Sequence, residues 1–480
     1  MLHYRRYLTY TILAGLACTS PPQQPPRIVI DGELDDWSAV PLLASGGGVS
    51  DEGWARMWAS NDEFALLVRF EVPEEISLQN GNTLELCLDT DDDSLTGQSL
   101  EGFGAELCWS FGERTGQFVS GTGTAPVEHQ HIGLISAPTV TGRSFEVALA
   151  RDAEPVDGQL LFTGRTVGLL LRDTDSGRRL PVTGGYHYRF QSQAPAPLHT
   201  FPLAKRSSEH VRFLSYNLNN HLTEPERRDA LARVLNAVDA DVILLQEIRD
   251  TPTAEAVAYV RSLLDRGGAP WHTLKIGGES TVVFSTFPIL RADSLGDSGG
   301  LLLQLGSEAQ MLLLVALSMP CCDEQERRTQ EADLIAAYVR DAKSGAGDFR
   351  ISDGTPILLM GDANLVGLHQ DRLTLLNGDI VDRETFGEPF APDWDDTPLT
   401  DLVPRHTHRP YTFTWHGEDF PPGRLDYVIY SDSRLQIGNR YVLYTPELPV
   451  EVLRRNGLDA GDTDVVTDHL PLVADLILHE

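Results

Sequence analysis

Gly361-Asp362-Ala363-Asn364 combines residue types that can do acid–base chemistry. Pro356-Ile357-Leu358-Leu359-Met360 precedes it, a short apolar run after a proline that reads as a buried strand. Such a strand delivers a carboxylate and an amide together at its C-terminal edge, where open sheets put ligands. Asp362 can accept a proton from water, and Asn364 can donate hydrogen bonds to an anion. Asp and Asn are also ordinary turn residues, so the tetrapeptide needs company.

That company lies on both sides. Val211-Arg212-Phe213-Leu214-Ser215-Tyr216-Asn217 is a strand pattern ending in an amide. Asp241-Val242-Ile243-Leu244-Leu245-Gln246-Glu247 is one ending in a carboxylate. Gly423-Arg424-Leu425-Asp426-Tyr427 and Thr467-Asp468-His469-Leu470-Pro471 follow near the C-terminus. In this order the five motifs resemble the endonuclease/exonuclease/phosphatase superfamily, which includes exonuclease III, deoxyribonuclease I, neutral sphingomyelinases and inositol polyphosphate phosphatases. The resemblance spans about residues 210–480.

The resemblance implies an α/β four-layered sandwich, two packed β-sheets flanked by helices, and hydrolysis of phosphate esters with Mg²⁺ or Mn²⁺. It makes Glu247 the principal metal ligand, with Asn217 beside it and Asp468 as a second carboxylate. Asp362 would align or deprotonate the attacking water. Asn364 would hold a phosphoryl oxygen. His469 would meet the phosphate as imidazolium, and Asp426 would orient its ring and raise its pKa. The substrate class stays open between nucleic acid, a phospholipid head group and an inositol phosphate. One departure stands out. Many relatives carry a second histidine after a central strand, here Leu312–Leu317, and Ser318 occupies that place. His221 and His369 are candidate substitutes. A non-catalytic binding protein on the same fold is the competing expectation.

The elements that must position these residues are legible as a pattern. Residues 224–238 form an amphipathic helix pattern leading into the strand before Glu247. Thr281–Ser285 and Leu312–Leu317 continue the strands, and 323–340 reads as a helix with Arg327 and Arg328 near its start.

Upstream the chain changes character. Residues 27–190 contain short strand-like runs separated by Gly, Pro, Asn and Asp, which predicts an all-β sandwich. Ile28-Val29-Ile30-Asp31-Gly32-Glu33-Leu34-Asp35-Asp36-Trp37 resembles the start of carbohydrate-binding and DOMON-like sandwich modules. That resemblance implies a possible glycan partner, although Trp37, Trp54, Trp58 and Trp109 serve equally as core. Asp89, Asp91 and Asp93 alternate in one loop, an oxygen-ligand spacing suited to a structural Ca²⁺. Residues 191–209 read as a linker.

The N-terminus carries the pattern of an export signal. Arg5 and Arg6 precede the apolar run Tyr7–Ala17, which is too short to span a bilayer. Cleavage before Cys18 would leave a lipidated first residue of a bacterial envelope lipoprotein. Plain secretion to the periplasm or medium is the alternative. Residues 1–18 are thus the expected signal and 19–26 a Pro-rich tether. Cys87 and Cys108 lie in strand-like runs and could bridge neighbouring strands in an oxidising compartment. Cys321-Cys322 is a strained disulfide, a metal site or two free thiols.

Charge narrows the partners. The formal net charge is −32, and only Lys205, Lys275 and Lys343 are lysines. Such a surface repels polyanions, whereas duplex DNA binding rests on many Lys and Arg phosphate contacts. The balance argues against a general nuclease.

Overall fold

The computed structural model describes residues 26–43, 54–264, 270–278, 280–306 and 310–478. The export signal, Cys18 and tether residues 19–25 lie outside these residues. No helix among the described residues is long and apolar enough to cross a membrane.

The C-terminal half is built on two six-stranded sheets. The first uses β1 (Val211–Asn217), β2 (Val242–Gln246), β3 (His272–Ile276), β4 (Thr281–Ser285), β11 (Leu435–Val442) and β12 (Leu472–Leu478), in the order β3-β4-β2-β1-β12-β11. The second uses β5 (Ile289–Leu295), β6 (Ser298–Gln304), β7 (Met311–Ser318), β8 (Ile357–Asp362), β9 (Thr400–Leu402) and β10 (Asp426–Tyr430), in the order β5-β6-β7-β8-β10-β9. Each sheet has one parallel pair, β1 with β2 and β7 with β8.

Period-two alternation decides which side chains face which layer. Phe213, Val242, Leu244, Leu312, Leu314, Leu358 and Met360 meet in one core between the sheets. Their neighbours Leu214, Ile243 and Leu245 face away, onto helices α1 (Arg228–Val238) and α2 (Thr253–Leu263). Leu313, Val315, Ile357 and Leu359 face away on the other side, onto α3 (Gln325–Ser344) and α4 (His369–Asn377). Strands buried on both faces are apolar at most positions, which is why their runs are near-continuous in sequence, although β1 also buries Arg212 and Ser215.

Gly361 is where a side chain is impossible. Its φ is 143°, and a Cβ there would meet the Leu317 carbonyl oxygen at 2.2 Å. Glycine therefore lets β8 stay in register with β7 up to Asp362, which pairs with Ser318.

Residues 26–190 hold a four-stranded and a seven-stranded sheet with antiparallel pairing and no α-helix among the described residues. Their facing sides share a core that includes Phe70, Trp109, Phe145 and Leu169. Trp37 and Trp109 are each 1% exposed, so both are core, and Arg69 stacks over Trp58 at 4.2 Å. Cys87 and Cys108 are direct cross-strand partners and are disulfide-linked. The sulfurs of Cys321 and Cys322 also adjoin one another. In the acidic loop, Asp89 and Asp91 converge with Glu106, while the Asp93 carboxylate turns back to accept from Leu95 N. Spacing within the loop points to Asp93 and is blind to Glu106, which lies just before the strand Leu107–Ser110.

The two halves are joined by apolar packing. Ile28, Ile30, Trp37 and Ala137 belong to the same buried cluster as the core between the C-terminal sheets.

Candidate active site

The sheets bring the ends of their parallel pairs to one place. Asn217 ends β1, opposite Gln246 at the end of β2. Asp362 ends β8 between Ser318 of β7 and Asp426, the first residue of β10. Apolar strands thus terminate in polar side chains from both sheets at a shared edge.

Asn217 links two carboxylates. Its Nδ2 donates to Asp362 Oδ2 at 2.8 Å and to Glu247 Oε1 at 3.1 Å. Asp362 accepts further from Asn364 Nδ2 at 3.0 Å and from the Asn364 backbone N–H at 3.0 Å. Asn364 Nδ2 also donates to the Met319 carbonyl at 2.8 Å. Both amide protons of Asn364 are therefore engaged within the protein, so it holds Asp362 and has none left for a phosphoryl oxygen. Sequence reasoning could not foresee this, because the Met319 carbonyl comes from the end of a different strand.

Glu247 and Asn364 are left-handed, with φ of 54° and 47°. Non-glycine residues seldom adopt this conformation, and such strain gathers at functional sites.

His469 Nδ1 donates to Asp426 Oδ2 at 3.0 Å, and its Nε2 lies 3.9 Å from Asp362 Oδ2. Burial alone would lower the imidazole's pKa, but Asp426 and Asp362 outweigh it and hold it up at about 9. Burial pushes Asp362 up to about 7, Asp426 adds to the rise, and His469 and Asn217 oppose it. The cluster thus favours an imidazolium beside a carboxyl group that burial holds above its usual range.

Asp468 sits at the half-exposed rim. It accepts from Trp415 Nε1 at 2.9 Å on one oxygen and from Thr467 Oγ1 at 3.1 Å on the other, with Asn219 Nδ2 at 3.5 Å. Trp415 and Asn219 escaped sequence analysis. The alternation Thr412-Phe413-Thr414-Trp415 between two motifs was the available signal for the tryptophan.

Ser318 is 4% exposed, and its Oγ lies 3.2 Å from Ser280 Oγ. Neither proposed substitute histidine joins the Asp362–Asp426–His469 group. His221 Nδ1 pairs with Glu224 at 2.6 Å, and the charges acting on His369 are Arg372, Glu75 and Glu33.

Asp362, Asp426 and Asp468 act on the His469 imidazolium, and Glu247 acts on Asp362. Asp426 Oδ1 is buried and accepts no hydrogen bond among the described residues. Carboxylate oxygens of Asp362 and Asp426 lie within 4.8 Å of one another, while His469 as imidazolium has no lone pair to give a metal. This oxygen-rich, negative donor set fits a hard divalent cation such as Mg²⁺ or Mn²⁺.

Solved structures match part of the chain. One is ANGEL2, described as a 2',3'-cyclic phosphatase, at 18% identity over 57% of this chain and 98% of that one, with a TM-score of 0.38. Another is truncated Caenorhabditis elegans TDP2, at 16% identity over 56% and 98%, TM-score 0.37. A third is the human Nocturnin catalytic domain with bound sulfate, at 14% identity over 57% and 97%, TM-score 0.36. No curated protein matches the chain by sequence. The family model described as Endonuclease/Exonuclease/phosphatase family matches residues 214–469, more than half of the chain and all seven of the residues gathered above from Asn217 to His469. The chain belongs to the endonuclease/exonuclease/phosphatase family.

Proposed function

We propose that the chain is an exported, divalent-cation-dependent phosphoesterase, carried on a four-layered α/β sandwich behind an all-β region. The observation that carries this reading is the convergence of Glu247, Asn217, Asp362, Asp426 and His469 through direct hydrogen bonds and one 3.9 Å gap. A bound Mg²⁺ or Mn²⁺ would neutralise the ester's charge and stabilise the leaving oxygen. Glu247 and Asp468, both at the rim, would hold it with the Asn217 carbonyl oxygen.

The remaining steps belong to the protein's own side chains. Asp362, fixed by the amides of Asn217 and Asn364, orients the attacking water and accepts its proton. His469 presents Nε2 to a phosphoryl oxygen as imidazolium. Asp426 holds Nδ1 on the opposite side, so the ring faces the substrate. Ser318 supplies no second imidazolium, which concentrates that role on His469.

The −32 charge favours a small phosphodiester or phosphomonoester, such as a lipid head group or an inositol phosphate, over duplex nucleic acid. Export is supported by the N-terminal sequence pattern and by the Cys87–Cys108 bridge. Cys18 is the proposed lipid anchor, and the mass of the mature N-terminal peptide tests it. Turnover of chromogenic phosphodiesters and phosphomonoesters with Mg²⁺ or Mn²⁺, abolished by chelator, tests the activity. No turnover of either class with either metal would favour the non-catalytic reading.

A further inference from the structure

A hairpin of the N-terminal sheets reaches the active-site loops. Strands Ile135–Ala137 and Gly142–Ala150 pair antiparallel, and the turn between them carries Thr139, Val140 and Thr141. Thr139 Oγ1 donates to the Leu365 carbonyl at 2.7 Å and lies 3.3 Å from the Arg424 carbonyl. Leu365 is the residue after Asn364, and Arg424 stands two before Asp426. Val140 is 2% exposed and shares a buried cluster with Ala363, Leu365 and Tyr427. Thr141 N donates to the Gly367 carbonyl at 2.8 Å.

Gly423 makes this approach possible. A Cβ there would lie 2.6 Å from Thr139 Cγ2. The two loops are also tied to each other, since Ala363 N and Asn364 N both donate to the Leu425 carbonyl, at 3.0 and 3.2 Å.

A second line of bonds runs parallel. Ile30 N donates to the Pro410 carbonyl at 3.0 Å, and Thr412 Oγ1 donates to the Ile30 carbonyl at 2.7 Å. Two residues on, Thr414 Oγ1 accepts from Leu425 N and Asp426 N at 3.0 and 2.8 Å. Thr414 O accepts from Leu470 N at 2.7 Å. Segment 410–414 therefore connects the N-terminal segment around Ile30 to the backbones of Asp426 and Leu470, next to His469.

We propose that Thr139 is a positioning residue of the active site, and that the N-terminal sheets act as a brace setting Asp362–Asn364 against Asp426–His469. The kinetic arm rests on the phosphoesterase reading above. The geometric arm does not. A hydroxyl shared between two loops that carry different catalytic groups fixes their separation, and displacements of about an ångström at such a site cost rate steeply. Thr139→Val keeps the shape and removes the donor from both carbonyls.

The experiment compares the full mature chain with T139V, T139S and R114A. Arg114 bonds the Asp419 carbonyl at 3.1 Å at the same junction and reaches the hairpin only through Gln79, which bonds Ser136, so R114A controls for general weakening of the contact. Amide hydrogen exchange on metal-free protein is read for peptides spanning 363–368 and 422–427. T139V should speed exchange in both peptides together, while T139S and R114A match wild type. With a chromogenic phosphodiester and Mg²⁺, T139V should lower kcat by about tenfold or more and leave KM within about twofold. T139S should restore kcat. Unchanged exchange in both peptides of T139V, or equal acceleration in R114A, would overturn the proposal. A wild-type protein without turnover would remove the phosphoesterase reading, while the exchange comparison would still decide the brace. If T139V does not fold, G423A displaces the same hairpin sterically and should accelerate exchange in both peptides. Wild-type exchange in G423A would overturn the proposal.

Discussion

The Nδ1 atom of His469 lies 3.0 Å from Oδ2 of Asp426, a fully buried carboxylate 43 residues away in sequence. The contact exists because β10 begins with Asp426, beside Asp362, while His469 precedes β12 in the other sheet and bridges Trp415. The pair therefore spans the two sheets at their shared edge. His469→Ala should lower metal-dependent kcat by roughly 10²- to 10⁴-fold, the range for losing a charged group at the reacting centre. Asp426→Asn should cause a smaller loss by releasing the ring. Turnover within twofold of wild type in H469A would remove the residue from the mechanism.

Glu247 is a half-exposed carboxylate tied to Asp362 through one amide. Glu247→Gln keeps its size and removes the charge that would hold the cation. Turnover should fall by about three orders of magnitude, with partial recovery at high metal concentration. The melting temperature without metal should stay close to that of wild type. Metal titration of turnover and a thermal melt measure both, and near-wild-type activity would place the cation elsewhere.

The half-buried Asp31 leads to a prediction about pH. Burial raises its pKa to about 7, with Asp36 and Glu33 adding to the rise and the Glu33 amide opposing it. Burial likewise raises Asp36 to about 6. In the unfolded chain both ionise near the ordinary value of about 4. The folded state therefore binds more protons between about pH 4 and 7, and stability is lost as pH rises through that window. Asp31→Asn should flatten the fall in melting temperature between pH 5 and 8. A D31N profile parallel to that of wild type would contradict the assignment.

The Cys87–Cys108 bridge joins adjacent strands and closes a loop with a sequence separation of 21. Loop-closure entropy for a ring of this size corresponds to about 3 kcal/mol. The double variant Cys87→Ser, Cys108→Ser should lose stability of that order in denaturant unfolding. Peptide mapping of the non-reduced protein exported from its host should find the two cysteines linked. Free thiols at both positions would speak against an oxidising compartment.

Local pattern carried much of this protein. The strands before Glu247 and ending at Asp362 were legible because β-strands buried on both faces leave near-continuous apolar runs, and the strand ending at Asn217 shows the same pattern broken by Arg212 and Ser215. The order of the motifs pointed to the family. Partnership between distant segments was not legible. Asp91 met Glu106 because two strands pair in one register, and no spacing within the loop encodes that. Asn364 spent its amide on Met319, which arrives from the parallel neighbour strand. Thr139 reached Leu365 and Arg424 across more than two hundred residues. Periodicity reports which face of an element is buried, since burial is a property of each residue and its near neighbours. Which surface covers that face depends on shape and closure among all the elements at once, and only the folded chain decides it.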